Sequence, residues 1–219
     1  MTARTRLIST AALAALSLAL GACKSKGDLV FDESVGITAV RSVCPAVGVP
    51  DYTGDITVFT TPGATDAASI DVTAALTNVR STCNDTGEKV YTSATFDVLA
   101  RRTNTAAART VQLPYFVTVM RGGTAVISKR IGTVTLNFAA GQERAQASGQ
   151  GAAYIDKNEA TLSPEIRDRI TRKRRAGDTD AAVDPLTQPD VRAAVARATF
   201  DVLLGFQLDD KQLAYNATR

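Results

Sequence analysis

The chain has 219 residues with 25 basic and 22 acidic side chains, so its formal net charge is only +3. This length is enough for one well-packed core or two small ones. The sequence contains no histidine, which excludes histidine-activated serine and cysteine nucleophiles and most zinc, copper and non-haem iron sites. Aromatic residues make up 5% of the chain and tryptophan is absent, which disfavours a stacking platform for bases or sugars.

Residues 1–22 have the pattern of a secretory signal. Arg4 and Arg6 precede an uncharged stretch, residues 7–21, that is rich in Ala and Leu and too short to span a bilayer. The stretch leads into Leu20-Gly-Ala-Cys23, which resembles the lipobox of bacterial lipoproteins. The resemblance implies cleavage before Cys23 and an anchor of several acyl chains on that cysteine. An ordinary signal-peptidase site that leaves Cys23 as a spare thiol is the alternative.

Residues 23–28 form the predicted tether between this anchor and the folded part. In the lipoprotein class that the chain resembles, Asp directly after the cysteine favours the inner membrane, so Lys24 at that position implies the outer membrane. Loss of residues 1–22 leaves 23 basic and 22 acidic side chains, which gives no general affinity for nucleic acid. We therefore expect a lipid-anchored protein on the periplasmic face of the outer membrane, with no nucleic-acid partner.

Two cysteines remain once Cys23 is acylated. In an oxidising compartment Cys44 and Cys83 are expected to form a disulfide, which closes a loop of about 40 residues and contributes ~3–4 kcal/mol. Their spacing fits neither a redox Cys-x-x-Cys pair nor a zinc site. We expect no metal and no cofactor.

Residues 29–219 are predicted to form a single domain that is mainly β-structure. Apolar residues alternate with polar ones in four segments, which is the pattern of strands with one buried face: residues 70–76, 90–98, 111–119 and 134–138. Two shorter strands are expected at residues 37–43 and 55–60. This pattern predicts an antiparallel, Ig-like β-sandwich, and a barrel with a ligand cavity is the alternative architecture.

Glycine and proline indicate where these strands turn or stop. Gly122-Gly123 predicts a tight hairpin, and Pro114 predicts either a strand start or a strand edge. Gly132 is expected to interrupt its strand. The pair in Gly149-Gln-Gly151 is expected to form a bulge or a turn.

A helical insertion is predicted at about residues 163–197. Ser163 is a suitable N-cap for a first helix that would end at Gly177. A second helix would start at Thr187, with Asp190 completing a capping box.

One six-residue sequence occurs twice. Ala94-Thr-Phe-Asp-Val-Leu99 returns as Ala198-Thr-Phe-Asp-Val-Leu203, and we interpret both copies as strands with Phe and Val inward. The second copy would continue through Leu208 as a strand, and a helix that continues to Leu204 is the alternative.

The densest charged feature lies in the first predicted helix. Six basic residues within nine positions indicate a contact with an anionic surface, either lipid headgroups or an acidic envelope protein. They are Arg167, Arg169, Arg172, Lys173, Arg174 and Arg175. The alternative is a solvated helix whose charges suit its C-terminal end.

The body of the chain is similar to sphingomonad-type bacterial lipoproteins of unassigned function. Three segments carry this resemblance: residues 44–52 (CPAVGVPDY), 113–117 (LPYFV) and 172–177 (RKRRAG). The resemblance implies no activity. We expect a non-enzymatic binding or structural module of the envelope, and the alternative is an accessory lipoprotein that carries lipid in an apolar cavity.

Overall fold

The computed structural model describes residues 42–174, 177–179 and 183–219. The predicted signal peptide, the tether and residues 37–41 of the first predicted strand lie outside these residues, and Ser42 and Val43 are not in a strand. The chain divides into two units, Met1–Ile37 with Lys173–Ala182, and Thr38–Arg172 with Val183–Arg219. The second unit contains all of the strands and helices described below.

In the described residues, eight strands form two four-stranded sheets, which confirms the predicted β-sandwich. The first sheet has the order β1-β8-β5-β6 and the second has the order β2-β3-β4-β7. The bounds are β1 Ala46–Gly48, β2 Asp55–Phe59, β3 Ile70–Asn84, β4 Lys89–Arg102, β5 Arg109–Arg121, β6 Ala125–Phe138, β7 Arg144–Asp156 and β8 Phe200–Phe206. Neighbouring strands are antiparallel except β1 and β8, which run parallel.

Strand β4 lies at the centre of the second sheet and has the strictest alternation in the molecule. Every second residue from Val90 to Arg102 is buried, and the residues between them face outward. Its inner face meets buried side chains of the first sheet such as Leu136 and Leu204. Burial of one face only is what a period of two in the sequence predicts.

Three glycines make room for large side chains between the sheets. A Cβ at Gly149 would lie 2.2 Å from Phe96 Cζ, and one at Gly132 would lie 2.4 Å from Tyr115 Cζ. A Cβ at Gly151 would lie 2.4 Å from a methyl group of Val117. The predictions of a break at Gly132 and of a bulge or turn at 149–151 are therefore wrong, because these glycines stay in continuous strands and open space for the facing side chains.

The other turn and strand predictions have mixed outcomes. Gly122 and Gly123 form the hairpin turn with φ of 62° and 72°, as predicted. Pro114 lies inside β5, but the pairing with β8 begins only at Tyr115, so the strand has a local edge at the proline. The first copy of the repeated sequence, Ala94–Leu99, is a strand within β4, as predicted. In the second copy Ala198 ends a helix, and the strand begins only at Phe200 and stops at Phe206, so the predicted continuation through Leu208 is wrong.

Four α-helices follow β7 in the described part of the chain. They are α1 Lys157–Ala160, α2 Pro164–Thr171, α3 Pro189–Ala198 and α4 Asp210–Thr218, and short 3₁₀ turns lie at Ala67–Ser69 and Pro185–Thr187. Ser163 caps α2 as predicted, by accepting a hydrogen bond from Ile166 N. The predicted end at Gly177 is wrong, because the apolar stripe of the helix stops at Ile170 and the backbone becomes extended at Arg172, where the basic sequence has no apolar side chain to continue the stripe.

The start of α3 also differs from the prediction. The N-cap is Gln188, one residue after Thr187, and it makes no side-chain capping bond. Asp190 binds an arginine of α2 and does not complete a capping box. One face of α3 is apolar and packs inward, since Val191 is fully buried and Ala194 and Val195 are half-buried.

Arg102 closes the end of the sandwich at the last inward position of β4. Its guanidinium donates to the carbonyl oxygens of Gln142, Ala107 and Ala139 at 2.7–2.9 Å and lies 5.1 Å from the Phe138 ring centroid. Only 2% of the residue is exposed. These bonds satisfy the buried cation with backbone oxygens and fix the loops on either side of β5 and β6.

We expect Gly149→Ala to lower the free energy of unfolding by about 1–3 kcal/mol, because its methyl group overlaps the buried Phe96 ring. Urea unfolding followed by circular dichroism measures this change. Gly87→Ala is the matched control, because a Cβ there meets nothing closer than 4.0 Å. If the two variants are equally stable, Gly149 does not provide space for Phe96.

Candidate functional site

Of the six basic residues predicted as an anionic contact on the first helix, only two lie on a helix in the described part of the chain. Arg167 and Arg169 lie on α2, but the backbone becomes extended at Arg172, beyond the helix end. Arg172 and Lys173 are exposed, Arg174 is 5% exposed, and Arg175 lies outside the described residues. The helical arrangement that motivated the prediction is therefore wrong.

Arg169 connects α2 to the start of α3. Its Nη1 lies 2.6 Å from Asp190 Oδ2, and its Nη2 donates to Gln188 Oε1. The hydrogen bond from Arg169 holds the pKa of Asp190 below its ordinary value. Arg169 therefore has a structural role. Its partner is Asp190, which the sequence predicts as a helix-capping residue.

The predicted disulfide between Cys44 and Cys83 is confirmed. Cys44 directly precedes the edge strand β1 of the first sheet, and Cys83 lies near the end of β3 in the second sheet. The bond therefore links the two sheets across 39 positions of sequence. Cys23, the predicted lipidation site, lies outside the described residues.

An open groove of about 760 Å³ lies along the outer face of the second sheet. Its floor consists of small or aliphatic side chains, including Ala75 and Leu99, and Leu99 is 48% exposed. Three arginines line it: Arg101 from β4, Arg144 from β7 and Arg219. We call this feature the arginine groove.

The charges of the arginine groove are only partly neutralised. Arg101 pairs with Glu143, and Arg219 pairs with Asp55 and donates to Thr57 Oγ1 at 3.4 Å. Arg101 and Arg144 are direct cross-strand partners, so their side chains lie side by side on one face. Like charges directly opposite each other destabilise a sheet, and the ion pair of Arg101 with Glu143 offsets only part of this repulsion. The pair does not help folding, which points to a role in binding an anion.

A second polar cluster lies farther along the same face, around Asp97. Its carboxylate accepts hydrogen bonds from Asn78 Nδ2 at 2.7 Å and Ser148 Oγ at 2.8 Å. These two bonds, and then the charge of Arg80, hold the pKa of Asp97 below its ordinary value. A carboxylate held ionised in this way is a weak general base.

A larger open groove, about 950 Å³, lies between β2 and α4. Phe59 and Tyr215 meet in it edge to face with ring centroids 5.1 Å apart. Asn216, which is buried, donates to the carbonyl oxygens of Tyr52 and Asp55, both at 2.8 Å. These contacts attach α4 to the sandwich. The groove is therefore the space between β2 and the packed helix.

Neither α4 nor the arginine groove is among the features predicted from the sequence, for different reasons. The capping box of α4, Asp209 with Gln212, is visible in the sequence as an Asp-x-x-Gln signal. The groove has no such signal, because Arg101 and Arg144 become neighbours only through the register of β4 with β7. The tyrosines lie in different settings: Tyr115 is half-buried in β5, Tyr154 is 65% exposed on β7, and Tyr215 lies on α4.

No protein-family model, curated protein or solved structure matches this chain. Within residues 42–174, 177–179 and 183–219, no group of three potential metal ligands comes together. None of the helices in these ranges is both long enough and apolar enough to cross a bilayer.

We expect replacement of both Cys44 and Cys83 by Ser to lower the free energy of unfolding by ~3–4 kcal/mol, because the unfolded chain loses a long closed loop. Urea unfolding of the variant, compared with the oxidised protein, measures the change. Unfolding of the wild type in a reducing agent is the control and should reproduce the variant. An unchanged unfolding midpoint would show that packing alone holds the sheets together.

We expect Ser148→Ala to raise the pKa of Asp97 toward its ordinary value, because one of the two hydrogen bonds to the ionised carboxylate is lost. Since this pKa is lowered by folding, the associated stability is present above about pH 4 and is lost as the pH falls through the folded-state value. Carbon-detected NMR titration of Asp97 measures the shift. Ser93→Ala, on the same strand face, is the control and should leave the pKa unchanged.

Proposed function

We propose that this protein is an exported, lipid-anchored module of the bacterial envelope that binds an anionic component without catalysing a reaction. The lipobox-like sequence that ends at Cys23 supports anchoring, and Lys24 supports the periplasmic face of the outer membrane. The arginine groove is the proposed binding site, and it is the observation on which the binding role rests.

The disulfide supports export. Disulfides persist in the periplasm and outside the cell, whereas cytosolic thiols are kept reduced. The Cys44–Cys83 bond joins the two sheets, and a protein that folds around such a bond suits an oxidising compartment.

The chemistry of the groove supports binding more than catalysis. Guanidinium groups stay protonated at any physiological pH, so Arg101 and Arg144 can hold an anion but do not exchange protons. Carboxylates and phosphates match the forked geometry of arginine, and two arginines side by side can bind one such group together. The exposed aliphatic floor at Leu99 adds an apolar contact next to the charge.

The interior favours a binding module over the carrier that is the alternative. A lipid carrier needs an apolar cavity of several hundred Å³. The largest fully buried side chains described, Phe96 and Phe206, lie in the core together with buried Val and Leu residues from both sheets. The grooves described above open on the surface, so a ligand is proposed to bind there.

We expect Cys23→Ser to abolish acyl incorporation and to release the protein from the membrane fraction. Metabolic labelling with a fatty acid and fractionation of the native host measure both effects. The wild-type chain in the same host is the control. If the variant stays in the membrane and the wild type carries no acyl mass, the anchor proposal is wrong.

We expect Arg144→Gln to weaken capture of the anionic partner at least tenfold while leaving stability unchanged or slightly higher, because it removes a like-charge neighbour of Arg101. Cross-linking in the native envelope, followed by mass spectrometry of the co-purified material, measures capture. Arg192→Gln, an exposed arginine on α3, is the matched control. A partner that is captured equally by both variants does not bind through the arginine groove.

A further inference from the structure

The first half of β6 exposes more aliphatic surface than any other part of the chain that the structure describes. Val126, Ile127 and Ile131 are 60%, 53% and 56% exposed, all within six consecutive positions. Contiguous exposed apolar side chains of this kind mark interaction surfaces. We call residues 121–131, the hairpin turn with the first half of β6, the hairpin arm.

The aliphatic residues of the hairpin arm lie on both sides of the sheet. Ile131 is paired with Phe116 and Val126 with Met120, which places both on the outer face of the first sheet. Ile127 lies at the irregularity in this pairing and lines a small surface groove of about 300 Å³ together with Tyr154. Because its apolar side chains lie on both sides of the sheet, the hairpin arm could bury all of them in a lipid layer that surrounds it. A single flat protein surface would cover only one side.

Cations accompany the aliphatic residues. Lys129 lies over the Phe116 ring, with Nζ 5.2 Å from its centroid, and Arg130 follows it. At the base of the arm, Arg121 Nε donates to the backbone carbonyl of Arg197 at 2.6 Å and Nη1 lies 3.4 Å from Glu159 Oε2, so the charge of Arg121 is partly neutralised and Lys129 and Arg130 supply the positive charge of the arm. Aliphatic side chains ringed by Lys and Arg have the chemistry of a segment that lies in the headgroup layer of an anionic bilayer.

An added strand from another protein is the competing occupant, because β6 is an edge strand whose pairing among the described residues is with β5 alone. Two features disfavour it. Lys129 and Arg130 lie on this edge, and charged residues on an edge discourage strand addition. The register of β5 with β6 also shifts between Val119 and Met120. This irregularity interrupts the hydrogen-bond ladder that a new strand would continue.

We propose that the hairpin arm inserts Val126, Ile127 and Ile131 into the headgroup layer of an anionic membrane. The inference rests on the proposed function for its setting, since an acylated Cys23 would keep the arm near a bilayer. The contact orients the protein on the membrane, whereas the acyl chains alone only attach it.

The absence of tryptophan allows a direct test with a single reporter. Ile131→Trp is placed in the full chain, both acylated and as the Cys23→Ser form, and is mixed with phosphatidylglycerol-rich vesicles. We expect a blue-shifted emission and quenching by brominated lipid in both forms. Leu213→Trp is the control, because Leu213 is similarly exposed on α4, which packs against β2, and its emission should not change.

Charge is tested in the same assay. Replacing Lys129 and Arg130 by Gln should weaken vesicle binding of the Cys23→Ser form roughly tenfold or more. Added salt at ~1 M should have a similar effect, because it shortens the Debye length to about 3 Å. Equal binding to phosphatidylcholine vesicles would overturn the anionic preference.

The failure of the arm and the failure of the anchor give different results. If the acylated protein floats with vesicles but the reporter at position 131 stays in water, the arm proposal is wrong and the anchor stands. If the chain is never acylated but the reporter in the Cys23→Ser form still enters the bilayer, the anchor is wrong and the arm stands. A blue shift without vesicles that grows with protein concentration would show strand pairing between copies and would overturn the membrane contact.

Discussion

The sandwich depends on the one-sided burial of β4. This strand pairs with β3 on one side and β7 on the other, so its register fixes which face of the whole second sheet is inward. A shift of one residue would expose Phe96 and Val98 and bury Asp97 and Arg101. The hydrophobic loss and the desolvation of those charges both oppose such a shift. The register that buries the inner face of β4 therefore also places Arg101 on its outer face, in the arginine groove.

Tight contact between the sheets adds a second constraint. Phe96 and Tyr115 meet edge to face at 5.0 Å, and the Tyr115 hydroxyl donates to the carbonyl of Gln150 in the facing sheet. These rings fit because Gly149 and Gly132 have no side chain. Glycine usually weakens a strand, but here the loss of local propensity is offset by aromatic packing. The two glycines therefore allow the sheets to approach closely at this point.

Alternation in the sequence predicts the strands well because the pleat buries every second residue. The repeated hexapeptide has the same inward Phe and Val in both copies. What the sequence could not reveal is which strand faces which. The sequence favours a bulge or a turn at Gly149, because its aromatic neighbour Phe96 lies 53 positions away in sequence and is brought to it only by the β4–β7 register. The charges of the basic segment suit a helix end and so predict a longer helix, whereas the apolar stripe that packs this helix stops at Ile170. Register and burial depend on contacts between residues that are distant in sequence. The sequence around Arg144 therefore does not indicate which residues it lies beside.

The hairpin arm and the arginine groove lie toward opposite ends of β7. Tyr154 lines the small groove beside the arm, and Arg144 lines the arginine groove ten residues earlier. Ten residues of strand span about 33 Å. The other end of the arm is nearer, because Ile131 precedes Gly132, whose partner Tyr115 donates to the carbonyl of Gln150, six residues or about 20 Å along β7 from Arg144. If the arm lies in the headgroup layer and β7 runs away from the membrane, Arg144 is held about 20–33 Å from the arm, beyond the roughly 8 Å over which membrane charge acts at physiological ionic strength. Anionic lipid would then not compete for the arginine groove, and the groove would be free to bind an anionic component away from the membrane surface.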